Sequence, residues 1–342
     1  LQHIYLGDVV MKKTLSLFLA ALMVFTSLFA MGLNSFAADN SISVVMDKSS
    51  YKVGEIATAE VVVNANKISG LGIRLKYDAD VYQVVSASSI NTVDYSNPGM
   101  VNFTWASGGD TNFENKVIFT VKFKVLSTVP TDLILEFFSD KVLGSNDEDL
   151  SSSFALHHKT IFPDASYEAW YYPAVKSVAQ KGYITGYSDG SFGPVNNIQR
   201  QDFVVILARI AGADLSAYEG KDSGFSDVPR NAYYSAAVAW ARAKGIVNGY
   251  SSDYFGVGTP ISREQICIIF CRYLNGEASG NVDTILARYP DGGNTSPWAK
   301  ASVAWAVENG IVGGAEYLNP TGNAGRAEMA QMLENMRKKN IL

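Results

Sequence analysis

Three arginines, Arg200, Arg263 and Arg326, follow one another at intervals of 63 residues, and each opens a stretch with helical apolar periodicity. A guanidinium in the first turn of a helix is slightly unfavourable for the helix, because it meets the positive end of the dipole. Together with the unpaired N–H groups there, however, it makes a good site for a carboxylate or phosphate. The three junctions differ in their caps. Ser262-Arg263-Glu264-Gln265 has the form of a capping box, Gly325-Arg326-Ala327-Glu328 is a weaker version, and Gln199-Arg200-Gln201-Asp202 lacks a good cap. The bland alternative is three surface arginines that pair with their neighbours.

Turnover chemistry is not nominated. The run Asp147, Glu148, Asp149 lies beside Asn146 and Ser151 and reads as a polar loop. There is no phosphate-binding glycine loop or His-Glu-x-x-His helix. General acid and base work needs tuned groups in a cleft, so no catalytic residue and no cofactor is expected. Cys267 and Cys271 are four apart on one helical face and badly placed for a mutual disulfide, so they read as two buried thiols. His157 and His158, near a domain boundary, lack the spacing of a metal site and read as solvated linker.

The elements that must position the arginines come in three copies. Phe162-Pro-Asp164, Phe225-Ser-Asp227 and Tyr289-Pro-Asp291 each open a block. A first helix follows, over Tyr171–Lys181, Tyr234–Lys244 and Ala299–Asn309, with an apolar face that includes Val175 and Val178, Val238 and Ala241, then Val303 and Ala306. Gly182, Gly245 and Gly310 sit where a left-handed residue would end each of these helices. A tight aromatic loop comes next, Gly186 to Phe192 and Gly249 to Phe255, and the second helix begins at the arginine. The third loop, Gly313 to Leu318 and on to Pro320, is one residue shorter and lacks the Tyr-x-Asp-Gly turn. Repeated units of this kind bury their apolar faces against one another.

These blocks resemble S-layer homology repeats, in which an aromatic-x-Asp opening, a Trp, an Ala-Val helix, Gly-Tyr-x-Asp-Gly-x-Phe and Thr-Arg-Ala-Glu recur in order. The resemblance covers about the last half of the chain, although no unit keeps an intact Thr-Arg-Ala-Glu. It implies an all-α prism of pseudo-threefold symmetry that binds a secondary cell-wall polysaccharide, typically through a pyruvylated sugar whose ketal is a carboxylate. Carried over, the glycan-binding residues are Arg200, Arg263, Arg326, Asp164, Asp227, Asp291, Trp170, Trp298, Gly186 and Gly249.

Upstream, the periodicity changes to two. Val117, Phe119, Val121, Phe123 and Val125 alternate with Ile118, Thr120, Lys122 and Lys124; Leu71, Ile73, Leu75 and Tyr77 alternate with Arg74 and Lys76; Val101, Phe103 and Trp105 alternate with Asn102 and Thr104. Short strands separated by Gly, Asn, Asp and Pro turns predict an antiparallel sandwich of about eight strands. Tyr51-Lys-Val-Gly-Glu55, Gly70 to Asp78, Gly99 to Ser107 and Lys116 to Val125 resemble a cohesin domain of the kind found in cellulosome scaffolds. That resemblance implies a jelly-roll sandwich that docks a dockerin on one exposed sheet face. A carbohydrate-binding face would instead need a row of exposed aromatics drawn from Trp105, Tyr77, Tyr82 and Tyr95.

Composition agrees with a folded, multidomain chain: 342 residues, 18% charged and 47% hydrophobic. A net charge of -5 with no basic stripe argues against nucleic acid. Met11-Lys12-Lys13, the apolar run Leu15 to Leu33 and the Ser35-x-Ala37 site read as an export signal, with a membrane involved only transiently. The expected divisions are 1–10 as a leader without a role, 11–37 as signal, 40–160 as sandwich, and repeats over 161–220, 221–285 and 286–342. The expectation is a non-catalytic cell-surface adaptor in the cell wall or S-layer. Its rival is a wall-attached structural or adhesive protein whose sandwich binds polysaccharide.

Overall fold

The computed structural model describes residues 40–342, the side chains of residues 139–141 excepted. The expected leader and export signal lie outside the described residues. No helix among those residues is long and apolar enough to cross a membrane.

The first half is built from β1 (Ser41–Met46), β2 (Ile56–Lys76), β3 (Tyr82–Ser89), β4 (Thr92–Asp94), β5 (Met100–Val125), β6 (Ile134–Leu143) and β7 (Ala155–His157). The strand order is β3-β5-β2-β1-β7, with β4 also on β5 and β6 on β2. The sequence suggests about eight short strands because β2 and β5 are each two limbs of one long strand. Register slips between Val61 and Gly70 bend the pair. β1 pairs with the first limb of β2, whereas β6 pairs with the second. The limbs face each other across one core, where Phe103 and Phe119 stack at 5.4 Å. Alternation holds from Phe119 onward, with Phe119, Val121, Phe123 and Val125 buried and Lys122 and Lys124 exposed, but not before it: the register slip between Val61 and Val62 leaves Ile118 buried and Val117 half-buried. The one helical interruption among the described residues of this half is a single 3-10 turn, Ser151–Ser153.

His157 and His158 are not solvated linker. His157 belongs to β7, paired in parallel with Ser43 of β1, and the Nδ1 of His158 accepts the Leu135 N–H at 3.1 Å. Burial lowers the pKa of both imidazoles.

The second half contains α1 (Tyr172–Gln180), α2 (Arg200–Ile210), α3 (Ser235–Ala243), α4 (Arg263–Leu274), α5 (Val282–Leu286), α6 (Lys300–Glu308) and α7 (Arg326–Lys338). The second helix of each repeat packs on the first helix of the next, α2 on α3 and α4 on α6, and α7 returns to α1 to close the ring. Gly182, Gly245 and Gly310 take the left-handed φ of +69°, +69° and +65° that ends the first helices. At the centre, Ile261 N–H donates to Ile198 O, Ala324 N–H to Ile261 O and Ile198 N–H to Ala324 O, at 2.9–3.0 Å. Those three residues are again 63 apart. The half is therefore mainly helical but not purely so: β-bridges Asn197–Gly325, Gln199–Pro260 and Ser262–Asn323 join the repeats, and 3-10 turns lie at Ser216–Tyr218 and Gly292–Asn294. Periodicity gives no warning of α5, a five-residue helix before the third repeat that buries Ile285 and Leu286.

The two halves meet at Asp132. Its Oδ1 accepts the Ile161 N–H at 3.0 Å and the Tyr172 hydroxyl, and its Oδ2 lies 2.7 Å from Lys176 Nζ. Gln180 Nε2 adds a 3.1 Å bond to Pro130 O.

Candidate functional site

The repeated aspartates come first, because they shape the loops. Asp164 accepts the N–H groups of Phe192 and Gly193, both at 2.7 Å; Asp227 accepts those of Phe255, Gly256 and Val257, all at 2.8 Å; Asp291 accepts those of Leu318 and Asn319 at 2.9 and 2.7 Å. Burial pushes the Asp227 carboxyl up, but its three backbone donors together more than offset this and hold it below the usual carboxylate range. Gly249 follows the same logic of close approach. At φ +76° a Cβ there would stand 2.6 Å from the Phe225 ring.

Each arginine then locks its own helix to a neighbouring loop. The Nε of Arg200 donates to Phe255 O at 2.9 Å, that of Arg263 to Leu318 O at 2.7 Å and that of Arg326 to Phe192 O at 2.7 Å. Their backbone N–H groups donate across the same seams, to Thr259, Gly322 and Asn196. Arg200 and Arg326 are only 6% and 7% exposed, so these are half-structural cations rather than free surface side chains. Burial lowers the pKa of both. The Arg200 guanidinium lies 4.9 Å from the Tyr250 ring centre and that of Arg326 4.5 Å from Tyr187, contacts of the cation–π kind. The capping box at Ser262 and Gln265 forms as expected. At Gly325 only half forms, with Glu328 accepting the Gly325 N–H at 2.8 Å and no side chain to return the bond.

A groove of about 210 Å³ opens at the first seam, lined by Gly186, Tyr187, Asp202 and Arg209 of the first repeat, Tyr233 of the second and Arg326 of the third. Its counterparts follow from the ring. By the 63-residue interval the equivalents in the second repeat are Gly249, Tyr250, Gln265 and Arg272, and Arg200 lies over the Tyr250 ring beside the Gln265 amide. In the third repeat the equivalents are Glu328 and Asn335, and Glu328 is paired with Arg263. Trp170, Tyr233 and Trp298 each stand two residues before a first helix and are 64%, 73% and 61% exposed. Sequence reading found the arginines, aspartates, tryptophans and glycines but missed Tyr233, Tyr187 and Tyr250. The 63-residue interval that marks the arginines also marks Trp170 and Tyr233 as equivalents.

The third seam differs, as its short loop foretells. Arg263 Nη1 is ion-paired with Glu328 Oε1 at 2.9 Å, and Tyr289 reaches over to donate to Gly313 O at 3.0 Å. Outside the seams, Cys267 is buried, which pushes its thiol up to about 12, and half-buried Cys271 donates to Gly276 O. Both are free rather than bridged, but only one of the two is a fully buried thiol. In the sandwich, Trp105 packs on Phe113 at 5.0 Å, and Tyr77 and Tyr82 pack on Phe123 at 5.0 and 5.1 Å. Of the four candidate aromatics there, only Tyr95 is exposed.

Comparison with known proteins agrees with this division. The S-layer homology domain model matches residues 161–204, 224–267 and 288–330, and the cohesin domain model matches residues 42–155. The surface-layer 125 kDa protein of Lysinibacillus sphaericus is 31% identical over 46% of this chain and 13% of its own length. The cellulosome-anchoring protein of Acetivibrio thermocellus is 25% identical over 47% of this chain and 36% of its own. An amylopullulanase of Thermoanaerobacterium thermosulfurigenes is 26% identical over 83% of this chain and 16% of its own. The chain thus spans little more than a third of these curated relatives at most. A type II cohesin domain from the cellulosome of Acetivibrio cellulolyticus aligns at 20% identity, over 34% of this chain and 91% of that domain, with a TM-score of 0.27, and the assignment rests on the family models instead. Both matched families are non-catalytic binding modules, although some relatives that carry them are enzymes. The chain contains a cohesin domain followed by three S-layer homology repeats.

Proposed function

We propose that this is a non-catalytic adaptor of the exported cell surface: the ring of repeats holds a secondary cell-wall polysaccharide, and the cohesin domain captures a dockerin-bearing scaffold or enzyme. The observation that carries the reading is the presence of both modules in one chain, joined at the Asp132 contact. Exposed aromatics and arginines at the seams suit a sugar that carries a carboxylate, such as a pyruvate ketal. Arg200, Arg326, Trp170 and Trp298 supply that contact, Arg263 is engaged by Glu328 and Leu318 O, and Asp164, Asp227, Asp291, Gly186 and Gly249 shape the loops around it. The rival reading, a sandwich that binds polysaccharide directly, has little support, since three of its four candidate aromatics pack inward.

Two arms test the proposal. The full chain should sediment with purified cell-wall sacculi and lose that property once the secondary polymer is stripped. Immobilised, it should retain dockerin-bearing protein from a culture supernatant. If it retains insoluble glycan through residues 40–160 and no dockerin protein, the adaptor reading fails.

A further inference from the structure

We propose that His158 is an acid-sensitive latch between the two halves: when its imidazole takes a proton, the sandwich is released from the ring and a fixed junction becomes a hinge. Neither wall binding nor dockerin capture enters into this property of the chain itself.

The chain crosses from sandwich to ring just after β7, and its contacts there lie along one edge. Leu133 and Lys159 exchange backbone bonds of 2.9 and 3.0 Å, and beside them the Nδ1 of His158 accepts the Leu135 N–H at 3.1 Å. The same imidazole meets Tyr167, in the first loop of the ring, in a T-shaped contact of 4.7 Å. Tyr167 packs in turn on Tyr172 at 5.5 Å, and the Tyr172 hydroxyl donates to buried Asp132, which also holds Lys176. His158 therefore belongs to a continuous series of contacts from β6 to α1. Beyond Lys176 the halves part. A cleft of about 470 Å³ lies between Asp78, Ser127 and Val129 of the sandwich and Pro173, Gln180 and Lys181 of the ring. A line of contact on one side and an open cleft on the other is the geometry of a hinge, with room for the sandwich to tilt.

An imidazole accepts the Leu135 N–H only while Nδ1 carries no proton. Imidazolium is a donor at both nitrogens, so protonation aims one donor at another and His158 must turn away from β6. Burial disfavours the cation and holds the imidazole below the ordinary histidine range; His157 of β7 acts in the same direction, while Glu168 of the ring and Asp132 oppose it. The other charges nearby are engaged: Lys159 donates to Thr160 O at 2.9 Å, Lys176 is held by Asp132, and Glu136 of β6 pairs with Arg74 and Lys76. Exposed Glu168 offers the imidazolium a carboxylate on the ring side once it leaves β6. Because the closed junction holds the neutral form, it binds fewer protons than the open one. Its stability is complete above the ordinary histidine pKa of about 6.5 and declines as the pH falls below that value.

The full chain is followed from about pH 7.5 to about pH 5 by small-angle scattering, by the histidine Cε1–H signals and by exchange of the Leu135 amide, corrected for its intrinsic rate. The radius of gyration should rise on acidification with the midpoint of the His158 signal. Leu135 protection should drop by about tenfold over the same range, while far-UV circular dichroism stays constant. His158→Gln, neutral at every pH, should abolish the acid response whether the variant sits closed or open. Glu168→Gln removes the carboxylate that favours the cation without touching β6, and should move the midpoint to lower pH. A parent of constant size, an expansion that survives His158→Gln, a midpoint that follows His157 instead, one that Glu168→Gln leaves in place or raises, or an expansion accompanied by loss of the dichroism would each overturn the latch.

Discussion

The sandwich and the ring solve the same burial problem with different materials. In the sandwich the core is a closed apolar set, Phe103, Phe119, Phe123 and their neighbours, and polar groups stay at its rim. In the ring the apolar face of each repeat is completed by the next repeat, and the seams are stitched by ionised side chains on backbone: Asp227 on three N–H groups, Arg200 and Arg326 on carbonyls. Buried charge is costly unless fully paired, so the ring devotes its charged residues to its joints. The grooves open at those same joints, which makes recognition and assembly share residues there. The sandwich keeps the two apart.

This contrast predicts where damage stays local. Phe123→Ala, which empties space among Tyr77 and Tyr82, should cost about 3–5 kcal/mol and shift only the sandwich transition in calorimetry, leaving sedimentation with sacculi intact. A fall in both transitions would show that the cores are not separate. Asp227→Ala strands three loop N–H groups and should cost the ring about 2–4 kcal/mol, more than Asp291→Ala, which strands two. Equal effects of the two would mean that the clamps are not what hold the loops.

Arg263→Ala sharpens the point about shared residues. From its place at a helix start, the sequence suggests a contact whose loss weakens wall binding and leaves stability alone. The structure, by contrast, ties it to Leu318 O and Glu328 with the side chain only 13% exposed. A loss of about 1–3 kcal/mol in ring stability is therefore expected, together with little change in wall binding. Unaltered melting would restore the view of a free ligand contact.

The smallest effect concerns acid. Arg337, whose guanidinium bonds both carboxylate oxygens, holds Glu334 at about 2, with the Ser177 hydroxyl assisting against burial. A carboxyl depressed on folding stabilises the native state above its unfolded pKa and loses that contribution as pH falls through the folded value. The stability advantage over Glu334→Gln should thus be full above about pH 4.5 and vanish towards pH 2, read from denaturant midpoints. An advantage independent of pH would contradict it.

Much of this architecture was legible in the residues. Period-two alternation located the strands, and the 63-residue interval located the arginines and the ring. What escaped was whatever depends on partners distant in sequence. Nothing around Arg200 indicates that Phe255 O will claim its Nε, and nothing in Pro130-Thr131-Asp132 announces a junction with Tyr172 and Lys176. The bends that fuse short strands into β2 and β5 are register slips, which periodicity cannot see. The interval was more informative than any one motif, since it also pairs Trp170 with Tyr233, both exposed.

The Asp132 contact has a mechanical consequence. A tug on the sandwich enters the ring through Tyr172 and Lys176 of α1, and α1 is itself fastened to the last helix by the Ser177–Glu334 bond. Load arriving at the beginning of the ring is thereby divided between its first and last repeats, so it strains the closure of the whole circle instead of peeling the units off one by one.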